Sequence, residues 1–357
     1  MKPAIFVEAD SPERPRCASW QWLAPLAVLG LLFAAGAGLG LLDEAQQQFT
    51  KLLSAAVHTR WADGGAVALG QAAALLALWI GWRVLRKAAL FLVFFVAERS
   101  LPGRPIDGRA LRFAIAVQLS LALVYAVGAT FLLIVAPLPD LPGPIVNLGQ
   151  AEVASLIGPL APVALALAAL LAYDFIDYWV HRAQHRFAIL WRFHAVHHSI
   201  DQMDALSSYS HPFDLLLAYA VFTIAGLLVG FTFETILLFM AFRAIQGRLS
   251  HTRAPVNFGP LGAALVDNRT HFLHHTRIEA RSGKNFAGTF TIWDRLFGTY
   301  ERPQPGPLTA TGIEGNAPPA TVADFFLARL GARRPSAETA DAALSPALPA
   351  SGWRPSA

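Results

Sequence analysis

Four stretches of about twenty residues each contain no charged side chain, and they constrain this chain more than anything else in it. They are Trp20–Leu42, Gly64–Trp82, Phe113–Val135 and Val153–Tyr173. A helix of that length covers the hydrocarbon thickness of a bilayer, and an uncharged surface all round suits lipid better than a protein core. Trp20 and Trp22 stand where interfacial anchors belong. Two shorter apolar runs, Leu215–Val229 and Phe233–Phe242, are separated by Gly230-Phe231-Thr232 and predict a helical hairpin that enters the membrane and returns. Ala88–Ala97 is too short to span and has basic neighbours, which predicts an interfacial segment. Of 357 residues, 55% are hydrophobic and only 15% charged, so a soluble globular chain is excluded as the first expectation.

The polar loops alternate in charge. Lys2, Arg14 and Arg16 precede the first stretch; residues 83–112 hold Arg83, Arg86, Lys87, Arg99, Arg104, Arg109 and Arg112; residues 136–152 hold no Lys or Arg; and Arg182, Arg186 and Arg192 follow the fourth stretch. The positive-inside rule then places the N-terminus, 83–112 and the chain beyond Tyr173 in the cytoplasm. The net charge of +4 is explained by this alternation, and no basic patch with interleaved aromatics points to nucleic acid. The layout predicted is a cytoplasmic N-terminus over 1–19, a transmembrane region of about four spans over 20–173, a catalytic region over 174–303 with the hairpin at about 215–242, and a mostly disordered tail over 304–357. The tail is rich in Pro, Ala, Gly and Thr, with an apolar pattern only at Val322–Leu330.

Cys17 is the one cysteine, so a disulfide framework, an iron–sulfur cluster and a Cys-type zinc site are excluded. Any metal must be held by nitrogen or oxygen. Ten of the eleven histidines lie between His181 and His275, while His58 stands apart as an ordinary isolated histidine. His181 and His185 are four residues apart; His194 precedes His197 and His198 by three and four; His271 precedes His274 and His275 in the same way. Such spacing puts imidazoles on one helix face, where one helix can ligate from one side. His211 and His251 are single. Ten imidazoles exceed what one ion uses and suit two ions with positions left open. Neither HExxH nor the Glu-x-x-His pairs of soluble di-iron bundles occur.

The boxes HRAQH, FHAVHHS and HFLHHT resemble the HxxxH, HxxHH, HxxHH signature of the fatty acid hydroxylase/sterol desaturase superfamily. The ending Lys284-Asn285-Phe286-Ala287-Gly288, followed by WDRLFGTY from Trp293 to Tyr300, is similar to that family's closing block, with Phe286-Ala287 where Tyr-Gly is usual. Together these motifs are far more specific than any one of them, and they cover roughly Leu171 to Pro303. The resemblance implies an all-α, polytopic membrane helical bundle with a cytoplasmic histidine-rich di-metal cap holding two Fe2+ ions. It implies His181, His185, His194, His197, His198, His271, His274 and His275 as ligands, and also His211 and His251, which match isolated family histidines. Asp174, Asp177, Asp267, Asn285 and Asp294 are candidates to accept the outer N–H of a metal-bound imidazole, or else solvated helix-end groups. No catalytic side chain beyond the ligands is singled out.

The activity expected on this basis is O2-dependent oxidation of a lipid C–H bond, by hydroxylation or desaturation of a sterol, fatty acyl chain or related lipid. The alkylglycerol-type monooxygenase of the same superfamily is an alternative. No electron carrier is legible in the chain, so a separate reductase, ferredoxin or cytochrome, or a pterin, is expected as partner. The rival from another class is a membrane metal-binding or transport protein. Transporters place ligands within broken helices near the midplane, whereas here the boxes lie beyond the stretches, among Arg182, Arg186, Arg192 and Arg277.

Overall fold

A computed structural model describes residues 107–135, 158–229, 233–253, 258–277, 283–304 and 308–332, with scattered positions between 77 and 99. The first uncharged stretch, most of the second, the loop around Asn147, Cys17 and His58 lie outside the described residues.

Helix dominates what remains. Helix α1, Gly108–Val135, contains the third uncharged stretch, and it is the one helix among the described residues long and apolar enough to cross a membrane. After a 3-10 turn at Gly158–Leu160, α2 runs from Ala161 to Arg186 with Pro162 in its first turn, where a missing N–H costs nothing. One helix therefore carries the end of the fourth stretch directly into the HRAQH box. An extended Phe187 breaks it from α3, Ala188–His198. Helices α4, Pro212–Val229, and α5, Phe233–Ser250, form the hairpin arms. The short α6, Asn268–His274, and α7, Ile292–Leu296, carry the third box and the WDRLFGTY block.

Packing around α2 fixes the frame. Tyr173 stacks on Phe239 of α5 at 4.5 Å and meets Phe222 of α4 edge-on at 6.0 Å. A larger cluster joins Ala114, Val117 and Leu121 of α1 to Phe91, Val196, Ile200, Met203, Tyr209, Phe272 and Phe325. Glu98 adds a polar clamp, accepting hydrogen bonds from Ala205 N at 3.1 Å, Thr252 Oγ1 at 2.9 Å and Arg253 N at 2.7 Å.

The tail differs from its expectation. Residues 308–332 fold onto the body instead of remaining disordered, through β1, Asn316–Ala317, pairing antiparallel with β2, Gly331–Ala332, and the intervening α8, Val322–Phe326. Thr321 caps α8 by accepting from Asp324 N, and Phe325 is fully buried in an edge contact with Tyr209 at 5.6 Å. The Val322–Leu330 pattern, short as it is, supplies one deeply buried aromatic, and that suffices to dock the segment. The tail beyond 332 is outside the described residues.

Candidate metal centre

Two groups of histidines converge at the cytoplasm-expected ends of these helices. His181, His185, His194, His198 and His274 form one; His197, His251, His271 and His275 form the other, and within each group the ligand-capable nitrogens all lie within 4.8 Å of one another. The groups interleave: α3 supplies His194 and His198 to the first and His197 to the second. The third box likewise gives His274 to the first and His271 and His275 to the second. The i, i+4 face of α2 supplies His181 and His185, and His251 enters just past the end of α5.

Hydrogen bonds engage Nδ1 in five of these rings. His181 Nδ1 lies 2.7 Å from Phe286 O, His197 Nδ1 2.9 Å from Tyr209 O, and His274 Nδ1 2.7 Å from Lys284 O. His251 Nδ1 meets Gly247 O at 2.5 Å and His194 Nδ1 meets Asp214 Oδ2 at 3.0 Å. Carbonyls only accept, so Nδ1 of His181, His197, His251 and His274 must carry the proton and, in a neutral ring, Nε2 is bare. Yet Nε2 atoms face one another: His198 is 3.1 Å from both His194 and His274, and His251 is 3.2 Å from both His197 and His271. For His197 with His251, two bare lone pairs at that distance repel, and a cation between them is the natural resolution. His185 Nε2 and both nitrogens of His275 are buried without a hydrogen-bond partner among the described residues, as ligand atoms would be.

Protonation does not relieve the repulsion. Burial pushes the His194 and His197 imidazoles down to about 3 and about 4. Burial and then the neighbouring imidazoles hold His185, His198, His251, His271, His274 and His275 well below the ordinary range. Neutral imidazole is the ligating form. The all-nitrogen donor set therefore fits transition-metal ions, and its residues would supply five ligands to one ion and four to another.

Residues 166–299 match the family model for fatty acid hydroxylase. An ornithine lipid hydroxylase of Rhizobium tropici is 34% identical over 158 residues, covering 44% of this chain and 46% of that protein. The histidine-bearing region of the chain is thus similar to the fatty acid hydroxylase family. Human alkylglycerol monooxygenase is 31% identical over 134 residues, 37% of this chain and 30% of that protein. A very-long-chain aldehyde decarbonylase of Oryza sativa subsp. indica is 37% identical over 135 residues, 35% of this chain and 48% of that protein. The chain thus spans less than half the length of each of these relatives. No solved structure matches it.

Within the fatty acid hydroxylase domain, His211 stands apart from both groups. Its Nδ1 accepts from Phe213 N at 3.1 Å and its Nε2 lies 3.1 Å from Phe326 O. Both nitrogens are engaged with backbone, which leaves no lone pair to face an ion. The five polar candidates are buried, but among the described residues none is hydrogen-bonded to an imidazole. Asp294 accepts from Phe286 N, Ala287 N and Thr299 Oγ1, at 2.8, 3.0 and 2.8 Å, and so pins the carbonyl that holds His181. Burial raises its carboxyl above the usual range, against those three hydrogen bonds. Asn285, in the left-handed region at φ 56, bonds both N–H and C=O of Glu301. Asp267 caps α6 through Thr270 N and Oγ1. Asp174 accepts from Phe290 N at 2.8 Å, and Asp177 pairs with Arg243 at 2.7 Å. Asp174, Asp267, Asn285 and Asp294 fix the backbone that carries the rings, and Asp177 ties α2 to α5.

Asp214, absent from the sequence candidates, is among the described residues the one carboxylate on a ring nitrogen of these groups. It sits in the first turn of α4, is 3% exposed, and burial pushes its carboxyl up to about 7. Its position three residues after His211, at the start of an apolar helix, is the signal that could have marked it.

Proposed function

We propose that this chain is an oxidoreductase that binds two iron ions through nine histidines and uses O2 to oxidise a C–H bond of a membrane lipid. The observation that carries the reading is the pair of buried, all-nitrogen histidine groups, in the second of which the bare Nε2 atoms of His197 and His251 face each other. His181, His185, His194, His198 and His274 would hold one ion; His197, His251, His271 and His275 would hold the other. Bound iron supplies O2 binding and one-electron chemistry there. The chain's own contribution is to hold His181, His197, His251 and His274 in their Nδ1–H form, to keep the groups dry, and to present an apolar approach along α1, α2 and the hairpin. The ornithine lipid and alkylglycerol chemistry in the relatives' names supports a lipid substrate.

Hydroxylation would place one oxygen atom of O2 in the C–H bond and release the other as water, consuming two electrons and two protons. Desaturation would remove two hydrogens and send both oxygens to water. The electrons come from a separate reductase, ferredoxin or cytochrome, or from a pterin. The loop charges and α1 support a multi-pass protein with the histidines on the cytoplasmic side.

The test is anaerobic loading of the purified full chain with Fe2+, metal counting, and turnover in membranes under 18-O2 with an added reductant. Two irons per chain and one heavy oxygen in a hydroxylated lipid, or a loss of two hydrogens, are expected. Unchanged lipids together with iron or zinc movement across liposomes would replace this reading with the transport one.

A further inference from the structure

Two cations play no part in the metal groups and share one aromatic ring. Lys87 Nζ lies 5.7 Å from the centroid of Phe91, and Arg248 Cζ lies 4.1 Å from the same centroid. Lys87 Nζ is also 5.0 Å from the ring of Tyr125. Arg248 Nη1 donates to Ala205 O at 2.6 Å and to Ser208 Oγ at 2.9 Å. Among the described residues, no carboxylate forms an ion pair with either cation. Asp204 acts on Arg248 from farther away, and its Oδ1 accepts from Ser207 N at 2.5 Å. The Tyr125 hydroxyl is buried and has no hydrogen-bond partner among the described residues.

Two half-buried like charges on one apolar ring raise the free energy of the site unless something negative joins them. Burial, and then Arg248, push the Lys87 ammonium down to about 8; burial pushes Arg248 down to about 9. A neutral partner would not relieve this, whereas an anionic oxygen would meet both charges and give the Tyr125 hydroxyl an acceptor. Location adds to the argument. Arg248 stands one turn before His251, about 5 Å along the helix axis, and the Ala205–Ser208 segment it grips leads into Tyr209, whose carbonyl holds His197.

We propose that Lys87, Arg248 and the Tyr125 hydroxyl form a subsite for the anionic end, phosphate or carboxylate, of the lipid substrate. The substrate part of this rests on the function proposed above; the anion binding does not. The polar end of the lipid is held one helical turn from His251, so the carbons next to the headgroup are the ones nearest the histidines.

The test measures binding to the full chain in a neutral maltoside detergent, with no turnover. Dodecyl phosphate, dodecanol and inorganic phosphate are the probes, and iron content is counted separately for each variant. Dodecyl phosphate should bind at least tenfold more tightly than dodecanol, and inorganic phosphate alone should compete poorly. Lys87→Met should erase the preference while iron content stays unchanged. Lys87→Glu should erase it too and raise the melting temperature, because the introduced carboxylate pairs with Arg248. Equal affinity for dodecyl phosphate and dodecanol overturns the subsite, as does a preference surviving in Lys87→Met. Inorganic phosphate competing as well as dodecyl phosphate overturns its assignment to a lipid. Each of these can occur with two irons bound, so failure here is distinct from failure of the metal reading.

Discussion

Asp214 shows how much one carboxylate can set at this centre. Its Oδ2 holds His194 Nδ1 at 3.0 Å, so that Nε2 faces the other rings. Replacing it by Asn keeps the shape and removes the charge. Asp214→Asn should weaken metal retention about 10–100-fold, read by competition with a chelator, while helix content by circular dichroism stays constant. Gly288 makes a different point. A Cβ there would run into Asp177 Oδ2 and the Arg243 guanidinium, the ion pair that braces α2 just ahead of His181. Gly288→Ala should destabilise the protein by about 1–3 kcal/mol through overpacking, seen as a lowered melting temperature in detergent. The histidines were legible because imidazoles crowded at helical spacing repel one another as they titrate, and a shared metal ion is what makes such crowding stable. Asp214 was not, since a lone acid at the start of an apolar helix reads equally well as a favourable dipole contact. The placement of His211 was hidden too: its partners, Phe213 N and Phe326 O, are main-chain atoms.

Among the elements, the folded segment 308–332 matters most to the second histidine group. Gly312 N donates to His275 O at 3.2 Å, Arg277 N to Ala310 O at 3.2 Å, and Phe326 O receives His211. Phe325 packs on Tyr209, whose carbonyl orients His197. Phe325→Ala removes a fully buried ring and should cost about 3–5 kcal/mol. The second group should then release its ion first, so metal counting should give fewer than two ions per chain. A variant that keeps both ions with wild-type affinity would show the segment to be a bystander. The sequence pointed to the segment only through Val322–Leu330, because nothing in a Pro- and Gly-rich stretch announces which aromatic will find a pocket. The helical hairpin, by contrast, was legible from two apolar runs and the Gly230-Phe231-Thr232 break, and α4 and α5 fall on them.

At the scale of the molecule, orientation follows from loop charge. A reporter joined after Ala332 should behave as cytoplasmic, and one placed near Asn147 as external; an external signal from the first would overturn the proposed topology. Helical class and the meeting of distant boxes were readable because hydropathy and spacing are local properties. How α3 and α6 divide their rings between two groups was not, since it depends on the angle at which the two helices meet. The anchoring of the rings has a further consequence. His181, His197, His251 and His274 are each aimed by a main-chain carbonyl, those of Phe286, Tyr209, Gly247 and Lys284. A carbonyl survives any side-chain substitution at its own residue, so these aiming contacts lie beyond the direct reach of point mutation. The lineage can drift neutrally at much of the surrounding sequence while the imidazoles keep their heading. A saturation scan should show deep intolerance at the nine histidines and Asp214, set in a broadly permissive background.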